Sequence, residues 1–288
     1  MKINFTKMEG LGNDFIFIDD RDGIVGEQVD FPELSRKLCS RHFGVGGDGI
    51  ITITESDTDD FNCTIYNSDG SQPEMCGNGM RCFAKYLYEK NITSQKKFKV
   101  ETLAGTIIPE VFVDDKGVVD LVRVDMGEPI LTTSLIPFVS EKERAVKENL
   151  VLDEPYKGQE TFEITAVSMG NPHAVVFVDN IRSIDVKELG QRIENHERFP
   201  EKTNVEFIEV VKKDELIMKV WERGAGLTLA CGTGACAALV AGCLNKKCEN
   251  KVVIHLDGGD LEIEWDLKNN HVYKTGPASF VFSGSLMI

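Results

Sequence analysis

Apolar and polar positions along the chain repeat with two different periods. Met80, Phe83, Ala84, Leu87 and Tyr88 fall at i, i+3, i+4, i+7 and i+8, and Cys236, Leu239, Val240, Cys243 and Leu244 fall at the same spacing. That period places one stripe of a helix against a core. Shorter helices are predicted from near Asp30, with Pro32 in the first turn and Leu34 and Leu38 on one face. Another follows Ser183, read as the N-cap, with Val186, Leu189 and Ile193 on one face. Between these run segments rich in β-branched residues: GIITIT, FNCTIY, KFKVET, TIIPEVFV and VVDLVRV in the first half, NVEFIEVV, LIMKVW, KVVIHL, LEIEW and VYKTG in the second. They read as strands, with KKDE joining NVEFIEVV to LIMKVW as a hairpin.

The order of these elements occurs twice. Lys7–Asp19 (KMEGLGNDFIFID) aligns with Val167–Asp179 (VSMGNPHAVVFVD); both lead from Gly-Asn into an apolar strand ending in Asp, and a short helix follows each. Two strands come next, then a cysteine nine residues after Asn67 and after Glu222, then a long helix pattern and more strands. A repeat of this length implies duplication. The expected fold is α+β: two pseudo-symmetric domains, each a mostly antiparallel sheet or barrel around a central helix. The expected boundaries are residues 1–128, with 277–288 returning to the first domain through FVFSGSL, and residues 129–276 for the second.

Composition adds a few exclusions. The net charge of −15 makes nucleic acid and anionic membranes poor partners. The opening MKINFTKMEG lacks an apolar targeting core, so a cytoplasmic enzyme is expected. The uncharged run from Gly224 to Asn245 is Gly- and Thr-rich in its first half and reads as a buried helix rather than a membrane span. Eight cysteines in a chain with its own core are expected to be reduced, and their spacings fit no structural zinc site. A literal G-x-G-x-x-G at Gly44–Gly49 lacks the preceding strand and following helix of a dinucleotide site.

The candidate chemistry lies in MCGNGMRC and ACGTGAC. Each sets a cysteine, Cys76 or Cys231, just ahead of Gly-x-Gly and a helix. At a helix N-terminus the backbone N–H groups are free and the dipole is positive, so a thiol is expected to be acidified and a carboxylate can dock. Two such thiols flanking one carbon suit removal of a proton from one face and delivery to the other: a two-base racemase or epimerase. The other six cysteines read as small buried hydrophobes. A non-catalytic thiol module is the alternative from a different class.

GLGNDF, RHFGVGGDG, YNSDGSQPEMCGNGMRC, GNPHAVVF, TNVEF, ERGAGLTLACGTGACA and TGPA together resemble the diaminopimelate epimerase family along almost the whole chain. The resemblance implies a cytoplasmic, usually homodimeric isomerase that interconverts LL- and meso-diaminopimelate for lysine and peptidoglycan synthesis, without pyridoxal phosphate, other cofactor or metal. It implies Cys76 and Cys231 as the catalytic pair. Substrate binding is implied for Asn13, Asn67, Gly77, Asn78, Asn171, Asn204, Glu222, Arg223, Gly232 and Thr233, and tuning of the thiols for His173 and Glu222. Some family members carry glutamine at the position of Gly49, where glycine offers no side chain; Thr233 stands where serine is common. A proline or hydroxyproline racemase is the nearest enzymatic alternative; Glu222, Arg223 and the asparagines favour a substrate with a second charged end.

Overall fold

A computed structural model describes residues 1–288. In chain order the elements of the first half are β1 (Lys2–Gly10), β2 (Asn13–Asp19), α1 (Phe31–Leu38), β3 (Gly49–Thr54), β4 (Phe61–Asn67), α2 (Gly77–Glu89), β5 (Val100–Thr102), β6 (Gly105–Ile107), β7 (Glu110–Val113) and β8 (Val119–Asp125). The second half follows with β9 (Glu148–Tyr156), β10 (Gln159–Ser168), β11 (Pro172–Phe177), α3 (Val186–Glu194), β12 (Asn204–Lys212), β13 (Glu215–Glu222) and β14 (Gly226–Leu227). It ends with α4 (Gly232–Leu244), β15 (Lys251–Leu256), β16 (Gly259–Asp266), β17 (His271–Gly276) and β18 (Ser279–Met287). The fold is mostly sheet with few helices. It divides into two units, Met1–Asp125 with Thr275–Ile288, and Met126–Lys274.

The duplication is visible in strand pairing. In unit 1 the sheet runs β18-β1-β2-β3-β4-β5-β6. From β1 to β6 successive pairs are antiparallel, parallel, antiparallel, parallel and antiparallel. In unit 2 the run β10-β11-β12-β13-β15-β16 has the same sequence of senses. Register matches too. Phe15 lies opposite Gly49 and Phe17 opposite Ile51, while His173 lies opposite Asn204 and Val175 opposite Glu206. Phe15 and Ile51 in unit 1 therefore hold the places of His173 and Glu206 in unit 2. Gly105 and Gly259 open the second strand of equivalent hairpins, at φ 98° and 131°, where a side chain is strained.

The long helices form the centres. In unit 1, α2 packs against β1, β2, β7 and β8. Residues 77–87 are all buried, Arg81 and Lys85 included. Their charges are met inside: Arg81 Nε donates to the Pro277 carbonyl (3.0 Å), and Lys85 Nζ reaches Glu89 (2.8 Å) and the Val119 carbonyl. In unit 2, α4 is covered by β10, β11, β12, β15 and β16, so the small apolar residues from Gly234 to Gly242 are buried all round. No helix is long and apolar enough to cross a membrane.

Local chemistry shifts two of the expected boundaries. Ser183 is not the N-cap of α3. It closes a short 3-10 turn capped by Asn180, and Asp185 caps α3 by accepting the Glu188 N–H at 3.0 Å. TIIPEVFV is two strands, β6 and β7, broken before Glu110 by Pro109, which has no N–H for a ladder. All eight cysteines are free.

Candidate active site

Each long helix begins on a cysteine. Cys76 caps α2 and Cys231 caps α4, with extended backbone at both (φ/ψ −132°/112° and −117°/112°). Each Sγ accepts the N–H of the glycine three residues on, Gly79 or Gly234, at 3.4 Å. The next N–H, of Met80 or Ala235, goes to the cysteine's own carbonyl. That leaves the N–H groups of Gly77 and Asn78, and of Gly232 and Thr233, as the unspent donors of each first turn. A carboxylate set there meets two N–H donors and the positive helix end.

The second glycine of each motif is fixed by packing. A Cβ on Gly79 would stand 2.7 Å from Ile51 Cδ1; one on Gly234 would stand 2.6 Å from Glu206 Oε1 and 3.2 Å from Cys231 Sγ. Both helix ends thus press on the third strand of the repeat, β3 or β12.

In unit 1 a chain of amides surrounds the half-buried Cys76. Its thiol donates to Asn13 Oδ1 at 3.5 Å, and Asn78 Nδ2 donates to the same oxygen at 3.3 Å. Asn78 is itself held by Arg81, whose Nη1 donates to Asn78 Oδ1 at 2.8 Å. Asn13 Nδ2 donates to Asp48 Oδ2 (2.7 Å), and Arg41 bridges Asp48 and Asp14. Because a carboxylate only accepts, Asp48 fixes which way the Asn13 amide points. Lys7 also pairs with Asp14 (2.6 Å). Burial works to raise the Asp14 pKa, but the hydrogen bonds from Arg41 and Lys7 outweigh it and hold the group below its usual value. Asn67 stands apart from this chain, with its Nδ2 on Ser71 Oγ at 3.0 Å. Gly49 leaves no room for a larger residue in its present place: a Cβ would lie 2.7 Å from the Tyr66 carbonyl.

In unit 2 the surroundings are ionisable. Cys231 is buried, its Sγ lies 3.5 Å from Thr233 Oγ1, and it hydrogen-bonds Glu222. Glu222 also accepts from the Thr228 hydroxyl. Burial raises the Glu222 pKa in spite of these bonds. His173 and Glu206, both fully buried, are joined Nδ1 to Oε1 at 2.7 Å, and His173 Nε2 faces Asn171 Oδ1 at 3.0 Å. Burial pushes the Cys231 thiol well above the ordinary range, and the Glu222 and Glu206 charges push the same way. This reverses the acidification expected of a helix end, because desolvation and two carboxylates outweigh the dipole there. The Asn204 amide is spent on backbone: Nδ2 donates to the Pro172 carbonyl (2.8 Å) and Oδ1 accepts the Arg223 N–H (3.0 Å). It fixes the strand end from which the exposed Arg223 projects.

Comparison with known proteins agrees with this pattern. The family model described as diaminopimelate epimerase matches residues 5–132 and 165–281. The chain belongs to the diaminopimelate epimerase family. Its relatives include the diaminopimelate epimerase of Desulforapulum autotrophicum, 58% identical over 288 residues with both chains covered entirely. That of Desulfitobacterium hafniense is 54% identical, with 99% of this chain and 98% of the relative covered. Among solved structures, a phenazine biosynthesis protein of the PhzF family from Bacillus anthracis has a TM-score of 0.68 at 16% identity, with both chains covered entirely. A probable proline racemase from Agrobacterium radiobacter has a TM-score of 0.69 at 14% identity, with 99% of this chain and 93% of that one covered. These distant likenesses show a shared fold. The half-sites also rest on residues outside the set expected from sequence: Asp48 behind Asn13, Arg81 and Pro277 behind Asn78, and Glu206 behind His173. Only Glu206 carried a legible signal, a charged residue at a strand position where the other repeat has isoleucine.

Proposed function

We propose that the chain interconverts LL- and meso-diaminopimelate by moving one α-proton between Cys76, Cys231 and the substrate. The observation that carries this reading is the matched pair of cysteine-capped helices, one in each repeat, each with two unspent N–H groups beside its sulfur. The α-carboxylate docks on the N–H groups of Gly77, Asn78, Gly232 and Thr233, which stabilise the negative charge that grows on it as the α-proton leaves. One sulfur, as thiolate, takes that proton and becomes a thiol. The other, as thiol, delivers its proton to the opposite face and becomes a thiolate. The stereocentre is inverted, and the two sulfurs have exchanged protonation states and re-equilibrate with water. Roles swap with direction.

The remaining residues divide by reach. Asn13, Asn67 and Asn171 offer amide groups that read ammonium and carboxylate. Glu222 meets an ammonium, and the Arg223 guanidinium takes the distal carboxylate through a fork, with Asn204 holding its backbone. His173 and Glu222 set the charge around Cys231. The reading needs no cofactor or metal, and it takes the enzyme to be a cytoplasmic homodimer. Cys76→Ser and Cys231→Ser are each expected to abolish conversion of LL-diaminopimelate, measured by chiral chromatography, while the wild-type protein leaves L-proline untouched. Full conversion by either variant contradicts the reading; racemisation of proline in place of diaminopimelate redirects it to the proline racemase class.

A further inference from the structure

The two half-sites share a backbone plan but not an electrostatic one. Under the first turn of α2 the strand positions are Phe15 and Ile51, both apolar; under α4 the equivalent positions are His173 and Glu206. Glu206 is completely buried. Its Oε1 is held by His173 Nδ1 and lies where a Cβ on Gly234 would touch both it and Cys231 Sγ. Its Oε2 has no hydrogen-bond partner. A buried carboxylate oxygen left bare is costly and calls for a reason.

We propose that Glu206 is a positioning residue that acts through Cys231, holding the proton on that thiol in the free enzyme and so making the two half-sites unequal acids. This deepens the cysteine-pair reading and rests on it. The ionisable groups set around Cys231 are Glu222 on β13 and Glu206 on β12, the latter paired with His173 on β11. A second negative charge on the sulfur would share this dry space with the Glu206 carboxylate, whose imidazole partner covers only one of its oxygens. The proton therefore stays on Cys231 until substrate and its ammonium group enter. Nothing equivalent acts from Phe15 and Ile51. Cys231 therefore starts as the proton donor, and the isomer whose α-hydrogen faces it must wait for the proton to redistribute. Pushing a neighbouring charge away from a buried titrating group moves its titration by about one unit or more.

The test alkylates the intact enzyme with iodoacetamide across pH and quantifies Cys76 and Cys231 separately by peptide mass spectrometry, each normalised to its own high-pH plateau so that accessibility cancels. In the wild type Cys231 reaches half its plateau above the ordinary thiol range. In Glu206→Gln, which keeps an acceptor for His173, that midpoint falls by about one unit, so Cys231 alkylates about tenfold faster at pH 8. Cys76 in the same digest keeps its wild-type rate, and Glu206→Asp, which keeps the charge, keeps Cys231 slow. A Cys231 curve unchanged in Glu206→Gln, or both thiols quickened by the same factor, overturns the proposal. So does a wild-type Cys231 that titrates as an ordinary thiol, a result that needs no variant to fold. The alkylation curves involve no turnover, so failure of the cysteine-pair reading shows separately, as isomerisation that survives Cys231→Ser.

Discussion

Gly79→Ala tests the packing that puts Cys76 at the end of α2. The added Cβ would lie 2.7 Å from Ile51 Cδ1, about 1 Å inside ordinary carbon–carbon contact, and Ile51 is fully buried. Overpacking of this kind costs about 1–3 kcal/mol, of which alanine's better helix propensity returns up to about 1. Ile51→Val removes the clashing methyl and alone costs about 0.5–1.5 kcal/mol. If close approach is the reason for the glycine, the double variant is more stable than the sum of the singles by about 1 kcal/mol. Urea midpoints followed by circular dichroism measure this, and the rate of diaminopimelate conversion reports whether Cys76 has shifted. Simple additivity of the two substitutions refutes the packing argument. Gly234→Ala offers the contrast: its Cβ would meet Glu206 Oε1 and Cys231 Sγ, and no methyl is there to trim.

Asp14 titrates below its usual value in the folded protein, so the stability it contributes is present above the unfolded pKa of about 3.9 and is lost as pH falls through the lower folded one. Asp14→Asn is expected to flatten the fall of the urea midpoint on acidification, and to cost about 3 kcal/mol at neutral pH by leaving Lys7 buried without its carboxylate. Glu222 has the opposite sign: its folded pKa is raised above the ordinary glutamate value of about 4.3, so its contribution is full below that value and declines as pH rises through the folded one. Glu222→Gln should remove that decline from the urea midpoint between pH 4 and 8, and should slow conversion of diaminopimelate; a midpoint as pH-dependent as the wild type's contradicts the shift.

Periodicity sufficed for the long helices, for most strands and for the repeat, because each of these rests on a buried apolar face that must recur at a fixed spacing. The cysteines at α2 and α4 were legible for a related reason: a thiol ahead of Gly-x-Gly and an apolar helix stripe marks a helix N-terminus, and both cysteines are N-caps; that the second glycine is pressed on a strand, Gly79 on Ile51 and Gly234 on Glu206, only the structure shows. Boundaries set by local capping were less legible. Ser183 and Asp185 are both good caps, and only the accepted Glu188 N–H distinguishes them. The supporting residues were least legible. Asp48, Arg41 and Pro277 act through hydrogen bonds to Asn13, Asp14 and Arg81, which lie 35, 27 and 196 positions away in sequence, and no local pattern encodes them. The reversal at Cys231 was also hidden, since the helix end is local while the opposing carboxylates come from β12 and β13.

Whether two sulfurs serve one carbon is decided most directly by isotope transfer. LL-diaminopimelate is incubated with the enzyme in deuterium oxide, and the product of the first few per cent of conversion is separated and its α-positions examined by mass spectrometry and proton NMR. Two-thiol chemistry predicts one deuterium at the inverted centre of every product molecule and none at the other centre, because the delivering thiol has exchanged with solvent before substrate binds. Product that keeps its original hydrogen at the inverted centre would mean that a single group removes and returns the same proton, and the pairing of Cys76 with Cys231 would be wrong.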